Sequence, residues 1–268
     1  MAITTLDGAI AGMQPPVPIV KTGIAASAVG ANRGYTLWYA AGNPGAATAN
    51  AVGVNGAAVS GATAGALTRA NPVSGNSHLA RMTLTTSITG TMWLIDRMWH
   101  NSGLSTTLTT AQAITPATLP ARDRTGTTNG QDVMAALEWS STGGAGTPAC
   151  TLTYTNQSGT ASQSATLTAV TTPPVGTFEI FTLAAGDTGV RAPTSFIQNA
   201  TRTSGGYHLV LFRVLAQMEC SSANVGNVID ALTSGMPRIY DNSVLQLVFF
   251  PSSTTAANFI GTYVETQG

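Results

Sequence analysis

The residue types best suited to chemistry are few and widely spaced. The histidines His78, His100 and His208 stand about 22 and 108 residues apart, so a shared metal site would have to be assembled by the fold rather than by a local motif. The bland expectation is three single histidines, hydrogen-bonded or exposed. Asp96 with Asp123 or Asp132 is the nearest approach to a carboxylate pair for glycoside hydrolysis, and the tryptophans nearby would suit a sugar platform. Arginines adjoin Asp96 and Asp123, however, which favours ionised, structurally paired carboxylates over a general acid with a raised pKa. The segment GDTGVRAP (186–193) offers one aspartate, too few charged ligands for calcium by itself, and reads as an Asx-type turn. Cys150 and Cys220 fit neither a disulfide framework nor a zinc site and are expected as buried free thiols. No G-x-S-x-G, P-loop, H-E-x-x-H or C-x-x-C occurs. Catalytic residues, cofactors and metal ligands are therefore all expected to be none, and the chain is not expected to be an enzyme.

Composition is more informative. The 268 residues are 43% hydrophobic and only 8% charged, against roughly 25% charged in a typical soluble domain. Eleven basic residues balance eleven acidic ones, and Lys21 is the lone lysine. Disorder does not fit this apolar content. No run approaches the roughly 20 apolar residues needed to span a bilayer as a helix. The arginines are scattered or sit beside aspartates, which disfavours direct nucleic-acid binding. The N-terminus MAITTLDGAIAGMQPPVP lacks a basic and then apolar leader, so synthesis in a cytoplasm without general export is the default expectation. A neutral Thr/Ser/Asn/Gly skin avoids the desolvation of buried charge and the entropy cost of ordering lysines at a contact. It favours a homo-oligomer whose surface is covered by other subunits, with an unusually neutral monomer as the alternative.

The elements that must position these residues centre on Thr91–Ser141, which holds Trp93, Trp99 and Trp139 and the densest charge. In TMWLIDRMWH, alternation places Trp93, Ile95, Arg97 and Trp99 on one face and Met92, Leu94, Asp96 and Met98 on the other. Both faces carry bulk, as in a central strand covered on two sides. Ser87–Gly90 reads as a hairpin connection from HLARMTLTT. QDVMAALEW, CTLTYTNQSGTASQSATLTAV (a hairpin), FEIFTL, YHLVLFRVL and VLQLVFF read as further strands, and Tyr35–Tyr39 as another. A short helix is expected within 3–12, capped by Thr5 or Asp7 and stopped at Gly12. Its phrase is echoed near Ile229–Pro237, either by coincidence or as two equivalent docking elements.

The fold class expected is all-β, an antiparallel sandwich or barrel of jelly-roll type, with long extended loops and one or two short helices. Residues 1–34 would form an N-terminal arm. Residues 35–268 would form one β domain with a Gly/Ala-rich loop at about 40–76, either an arm lying on a neighbour or a mobile surface loop. The loop from Ala121 to Gln131 would project as a polar turn, with Arg122, Asp123, Arg124 and Asn129 as inter-subunit contacts.

The phrases WHNSGL (99–104), LPARDRTGTTNG (119–130), AGDTGVR (185–191) and GMPRIYDNS (235–243) resemble virion structural proteins of tailed bacteriophages. The resemblance covers most of the chain in phrasing and composition and carries no diagnostic motif. It implies a head or tail component, and the missing helix-rich, charge-rich pattern of a major shell protein favours a capsid decoration, or cement, protein. The partners so implied are the major capsid protein and copies of itself, and the location is a virion assembled in the host cytoplasm. The alternatives are a receptor- or glycan-binding module of a tail or fibre, and a tail-tube or baseplate component.

Overall fold

The computed structural model describes residues 3, 5–24, 33–48, 56–61, 63–115 and 118–268, with the side chains of residues 23 and 24 left aside. In chain order the elements begin with α1 (Leu6–Ala11), β1 (Val17–Ile24), β2 (Gly34–Thr36), β3 (Gly42–Asn43), β4 (Ala57–Ala58) and β5 (Ser77–Thr86). Next come β6 (Gly90–Asn101), β7 (Gln112–Ala113), β8 (Val133–Ser141), β9 (Ala149–Asn156), β10 (Gln163–Thr168) and β11 (Thr177–Ile180). The chain finishes with β12 (Val190–Gln198), β13 (Gly206–Cys220), β14 (Gly226–Asp230), α2 (Ala231–Ser234), β15 (Arg238–Ile239), β16 (Leu245–Pro251) and β17 (Ala257–Gln267). The all-β antiparallel class is what forms.

Six strands close on themselves in the order β13-β8-β11-β2-β16-β6, and pairing of β6 with β13 completes the ring. Beyond Leu245, where β16 begins, β4 takes over the free edge of β6 at Trp99 and His100. Two further sheets wrap the outside of this barrel, β14-β5-β17-β1-β3 with β15 beside β5, and β10-β9-β12-β7.

Four core clusters form among the described residues, a small one of Trp38, Val59, Ala66 and Val244 and three larger ones that arise from the alternation. The barrel interior holds Ile95, Ala136, Phe178, Val210, Phe212 and Val248. Between the barrel and the outer sheet of β1, β5 and β17 lie Met92, Leu94, Leu247, Met218, Leu84, Phe259 and Tyr263. Between the barrel and the β9/β12 sheet lie Trp99, Trp139, Leu137, Leu211, Tyr154 and Phe196. One strand, β6, feeds all three. This is the central strand with two covered faces that its sequence implied.

Its alternation is not strict, however. Leu211 pairs with Trp99 while Phe212 pairs with Arg97, so a bulge falls at Met98. A bulge inserts one unpaired residue and reverses the facing of the residues beyond it. Trp99 therefore joins the outer core, not the barrel interior with Ile95, correcting the four-residue face read from alternation. The same device acts in β13, where a shift between Val214 and Ala216 moves Leu215, Ala216 and Met218 to the outer core while Val214 stays inside.

The expected hairpin through Ser87–Gly90 is also corrected. β5 pairs with β14, β15 and β17, whereas β6 pairs with β13, β16 and β4. Ile88 is buried, and the connection carries the chain from the outer sheet into the barrel. The threonine-rich hairpin of β9 and β10 forms as expected, with Tyr154 opposite Gln163 and Leu152 opposite Ala165. Gln131–Trp139 lies within a strand for most of its length. In Tyr35–Tyr39 only the start is strand, since the chain bends from Leu37 onward.

The N-terminal segment is not a free arm in its described part. Thr5 caps α1 by accepting from Gly8 N, Gly12 closes it, and Thr266 donates its hydroxyl hydrogen bond to Ala9 O. Strand β1 pairs with β17 and β3 and buries Ile19. The loop expected at about 40–76 is likewise packed on its own chain where it is described. β3 and β4 join sheets, Leu67 is 2% exposed, and Arg69 pairs with Glu265 at 2.8 Å. Residues 25–32, 49–55 and 62 lie outside the described residues.

Candidate interaction surface

Nearly half of the charged residues of this chain are buried. Lys21, Arg97, Arg122, Arg202 and Arg213 are buried, as are Asp96, Asp123, Glu138, Glu179 and Glu265. That is five of eleven residues of each sign, which leaves the surface still more neutral than the composition. A buried charge is tolerable only when paired and hydrogen-bonded, and each side of β6 shows how this is done. Toward the outer core, Asp96 accepts from Ser243 Oγ (2.7 Å) and Val244 N (3.0 Å), with Arg122 Nε at 3.2 Å. Inside the barrel, Arg97 Nη1 donates to Glu138 Oε2 at 2.6 Å and lies over the Trp38 ring at 4.8 Å. Glu138 also accepts from Gln246 Nε2 (2.7 Å) and Tyr39 Oη (3.2 Å).

These partners revise the local pairing read from the sequence. The adjoining arginine does not hold Asp96. Its net pKa shift is upward because burial outweighs the pull of Arg122, Ser243 and Val244 N. Lys21 pairs with backbone instead of a carboxylate, donating to Ala40 O and Pro44 O. Burial lowers its pKa to about 8.

The four contact residues proposed from the sequence separate into two kinds. Arg122 is 3% exposed and spans Asn242 O, Val59 O and Arg97 O, and Asp123 is 0% exposed. Neither can meet another subunit, because both brace the loop from within. The Asp123 carboxylate accepts from Thr125 N, Thr125 Oγ1, Thr127 N, Thr127 Oγ1 and Gln131 N at 2.7–3.1 Å. Desolvation raises its pKa, but those hydrogen bonds to the ionised form win and the net shift is downward. Gly130 closes the loop at φ +82°, where a Cβ would lie 2.2 Å from Val190 O. Arg124 and Asn129 are exposed, and Arg124 pairs with Asp132 at 2.6 Å. Replacing Asp123 by Ala leaves a nest of inward-facing donors unpaired. It should lower stability by about 1–3 kcal/mol, and the loop amides of 124–131 should exchange faster with deuterium. An unchanged exchange pattern would rule out the bracing role.

Other candidate groups also resolve. His78 Nδ1 bonds Met236 O at 2.9 Å, while His100 and His208 come together inside the barrel, which their spacing did not suggest. Among the described residues no group of three or more His, Cys, Asp or Glu gathers to hold a metal. The Asp187 carboxylate accepts from Tyr154 Oη and Asn156 Nδ2, both at 2.6 Å. Both cysteines are free and buried, and burial pushes Cys150 up to about 12. Trp38, Trp99 and Trp139 are at most 3% exposed, leaving Trp93 half-buried against Phe250.

The surface that stays open to solvent is apolar and lies elsewhere. In the outer sheet, Val20 stands opposite Ile260, and Ile260 opposite Thr85. Beside that row run Pro18, Thr262, Thr83 and Val228. Ile19, Phe259 and Ile229, one residue out of step, fill the inner face. The outer face therefore presents β-branched side chains to water, with Val20 40%, Ile260 62% and Val228 58% exposed. Both short helices stand at the end of this sheet where β5 begins and β17 finishes, and they expose Leu6, Ile10 and Leu232. Eight of the eleven exposed large hydrophobics among the described residues belong to this sheet, its helices or the turns beside them. Such concentration marks a surface awaiting a partner, whereas scattered single residues would not. The sequence reading missed β1, β14 and β17. The available signal was the consecutive Phe259-Ile260 and Val228-Ile229, apolar on both faces of a strand.

No protein-family model matches the chain, and neither the curated proteins nor the solved structures contain a match to it.

Proposed function

We propose that this protein is a structural subunit of a virus particle, of the capsid-decoration type, which docks through the outer face of the β14-β5-β17-β1-β3 sheet. The observation that carries this reading is the concentration of exposed apolar side chains on that sheet, its two helices and the turns beside them, in a molecule that buries five of its eleven charged residues of each sign. Covering Val20, Val228 and Ile260 removes apolar area from water at roughly 25 cal/mol per Å², and the charges on the same face, Arg81 and Asp230, stand opposite each other across β5 and β14. A shell offers such contacts many times over, so individually weak docking becomes firm by repetition. The particle setting rests on the resemblance of phrases such as LPARDRTGTTNG to phage virion proteins. Burial of three of the four tryptophans weighs against a glycan platform.

The test is co-sedimentation of the purified protein with undecorated phage heads at micromolar concentration. Saturable binding is the expected result. Failure to pellet with the heads would count against the decoration role.

A further inference from the structure

One end of the barrel gathers more hydrogen-bonding groups than its protein partners satisfy. Glu138, Gln246, Tyr39 and Arg97 Nη1 bond to one another as described. Arg97 Nη2, His100 Nδ1 and both ring nitrogens of His208 have no protein partner among the described residues. Arg97 is 1% and His208 3% exposed, so bulk solvent does not serve them. The strand register brings these groups together. His208 stands directly opposite Glu138, and His100 opposite Val210, which makes the two imidazoles diagonal cross-strand neighbours. Apart from Tyr39, these histidines, Arg97 and Glu138 are the titratable groups acting at this end.

The chemistry of the unpaired atoms selects what they bind. Burial, with Arg97 beside them, keeps both imidazoles neutral. A neutral imidazole offers one N–H donor and one acceptor nitrogen, whereas a guanidinium only donates. The ligand must therefore both donate and accept. An anion only accepts, would leave one nitrogen of His208 unpaired, and would face the Glu138 carboxylate. A metal cation would meet the Arg97 guanidinium and, among the described residues, no third ligand. Water meets the requirement, and buried waters characteristically make about three hydrogen bonds to such groups. The two nitrogens of one ring point in diverging directions, so a single water cannot serve both.

We infer that the polar end of the barrel binds an ordered water cluster, with one water on each ring nitrogen of His208 and bridges onward to His100 Nδ1 and Arg97 Nη2. The cluster is a structural part of the barrel and is independent of what the outer sheet docks against. A buried polar atom left unpaired keeps its full desolvation penalty, so four of them without ligand would be a heavy burden on one barrel.

Two measurements test this. Magnetic relaxation dispersion of water oxygen-17 counts long-lived internal waters, and the wild type should hold at least one more than His208→Phe. A high-resolution crystal structure of the wild type, soaked in bromide, stands even where that variant fails to fold. It should show water density within hydrogen-bond distance of both His208 nitrogens and no anomalous bromide peak there. Equal water counts in wild type and a folded variant, bromide in the site, or imidazole nitrogens bonded directly to protein would each overturn the inference.

Discussion

Replacing Glu138 by Ala should destabilise the protein by about 3–5 kcal/mol, the usual consequence of stranding a buried charge. The substitution leaves the Arg97 guanidinium, 1% exposed, without a counter-charge and removes the acceptor of Tyr39 Oη and one of the two acceptors of Gln246 Nε2. Native domains have a total stability of only about 5–15 kcal/mol, so the variant should approach unfolding at ordinary temperature. Urea unfolding followed by tryptophan fluorescence measures the effect, because Trp38 lies against Arg97. The double replacement Glu138→Leu with Arg97→Met removes both charges and should cost far less than the two single replacements together. A loss below about 1 kcal/mol in Glu138→Ala would show that the pair is not the keystone its burial implies.

The second large effect is on acid stability. His100 and His208 are both held down to about 4 from 6.5, by burial first; Arg97 adds to the lowering and Glu138 opposes it, more strongly than Arg97 at His208. In the unfolded chain they take up protons as pH falls through about 6.5, while in the native barrel they stay neutral until about 4. The unfolded state therefore binds more protons across that window, and stability must fall as pH falls from about 6.5 to 4. For His208, 3% exposed, the contribution is on the order of 2–3 kcal/mol. Asp123, whose carboxyl is depressed by its loop hydrogen bonds, adds to the loss at lower pH. Asp96 and Glu179, both raised by burial, act in the opposite direction because they accept protons in the native state. Urea midpoints between pH 7 and 4.5 should therefore decline steeply in wild type and less steeply in His208→Phe. Parallel curves would contradict the neutral, buried state of that imidazole.

Much of the architecture was legible because period-2 alternation is a local property. The β9/β10 hairpin, β8, β13, β16 and the α1 helix with its Thr5 cap all arise from residues within one element. Pairing between distant strands is not local, and there the reading failed for physical reasons. The Ser87–Gly90 turn looks like a hairpin connection, yet β5 pairs with β17, some 180 residues away in sequence, because both strands share the outer core. The bulge at Met98 leaves no mark in TMWLIDRMWH, and it alone decides that Trp99 faces away from Ile95.

Charge pairing misled for a related reason. Arg97 comes directly after Asp96 in sequence, but neighbouring residues in a strand point to opposite faces. Each therefore finds its counter-charge elsewhere, Asp96 in Arg122 and Arg97 in Glu138. The outer sheet face stayed hidden because the strands that carry Val20, Val228 and Ile260 were not read from the sequence at all.

The docking claim is tested most directly by two charges placed on that face. Val228→Asp with Ile260→Asp alters side chains that are 58% and 62% exposed, so the fold and its melting temperature should be unchanged. Sedimentation of wild type and variant, alone and with undecorated heads, is the measurement. The expected result is wild-type association that the double variant abolishes. Equal association by both proteins, or none by the wild type under any of these conditions, would contradict the proposal that this sheet is where the molecule meets its partners.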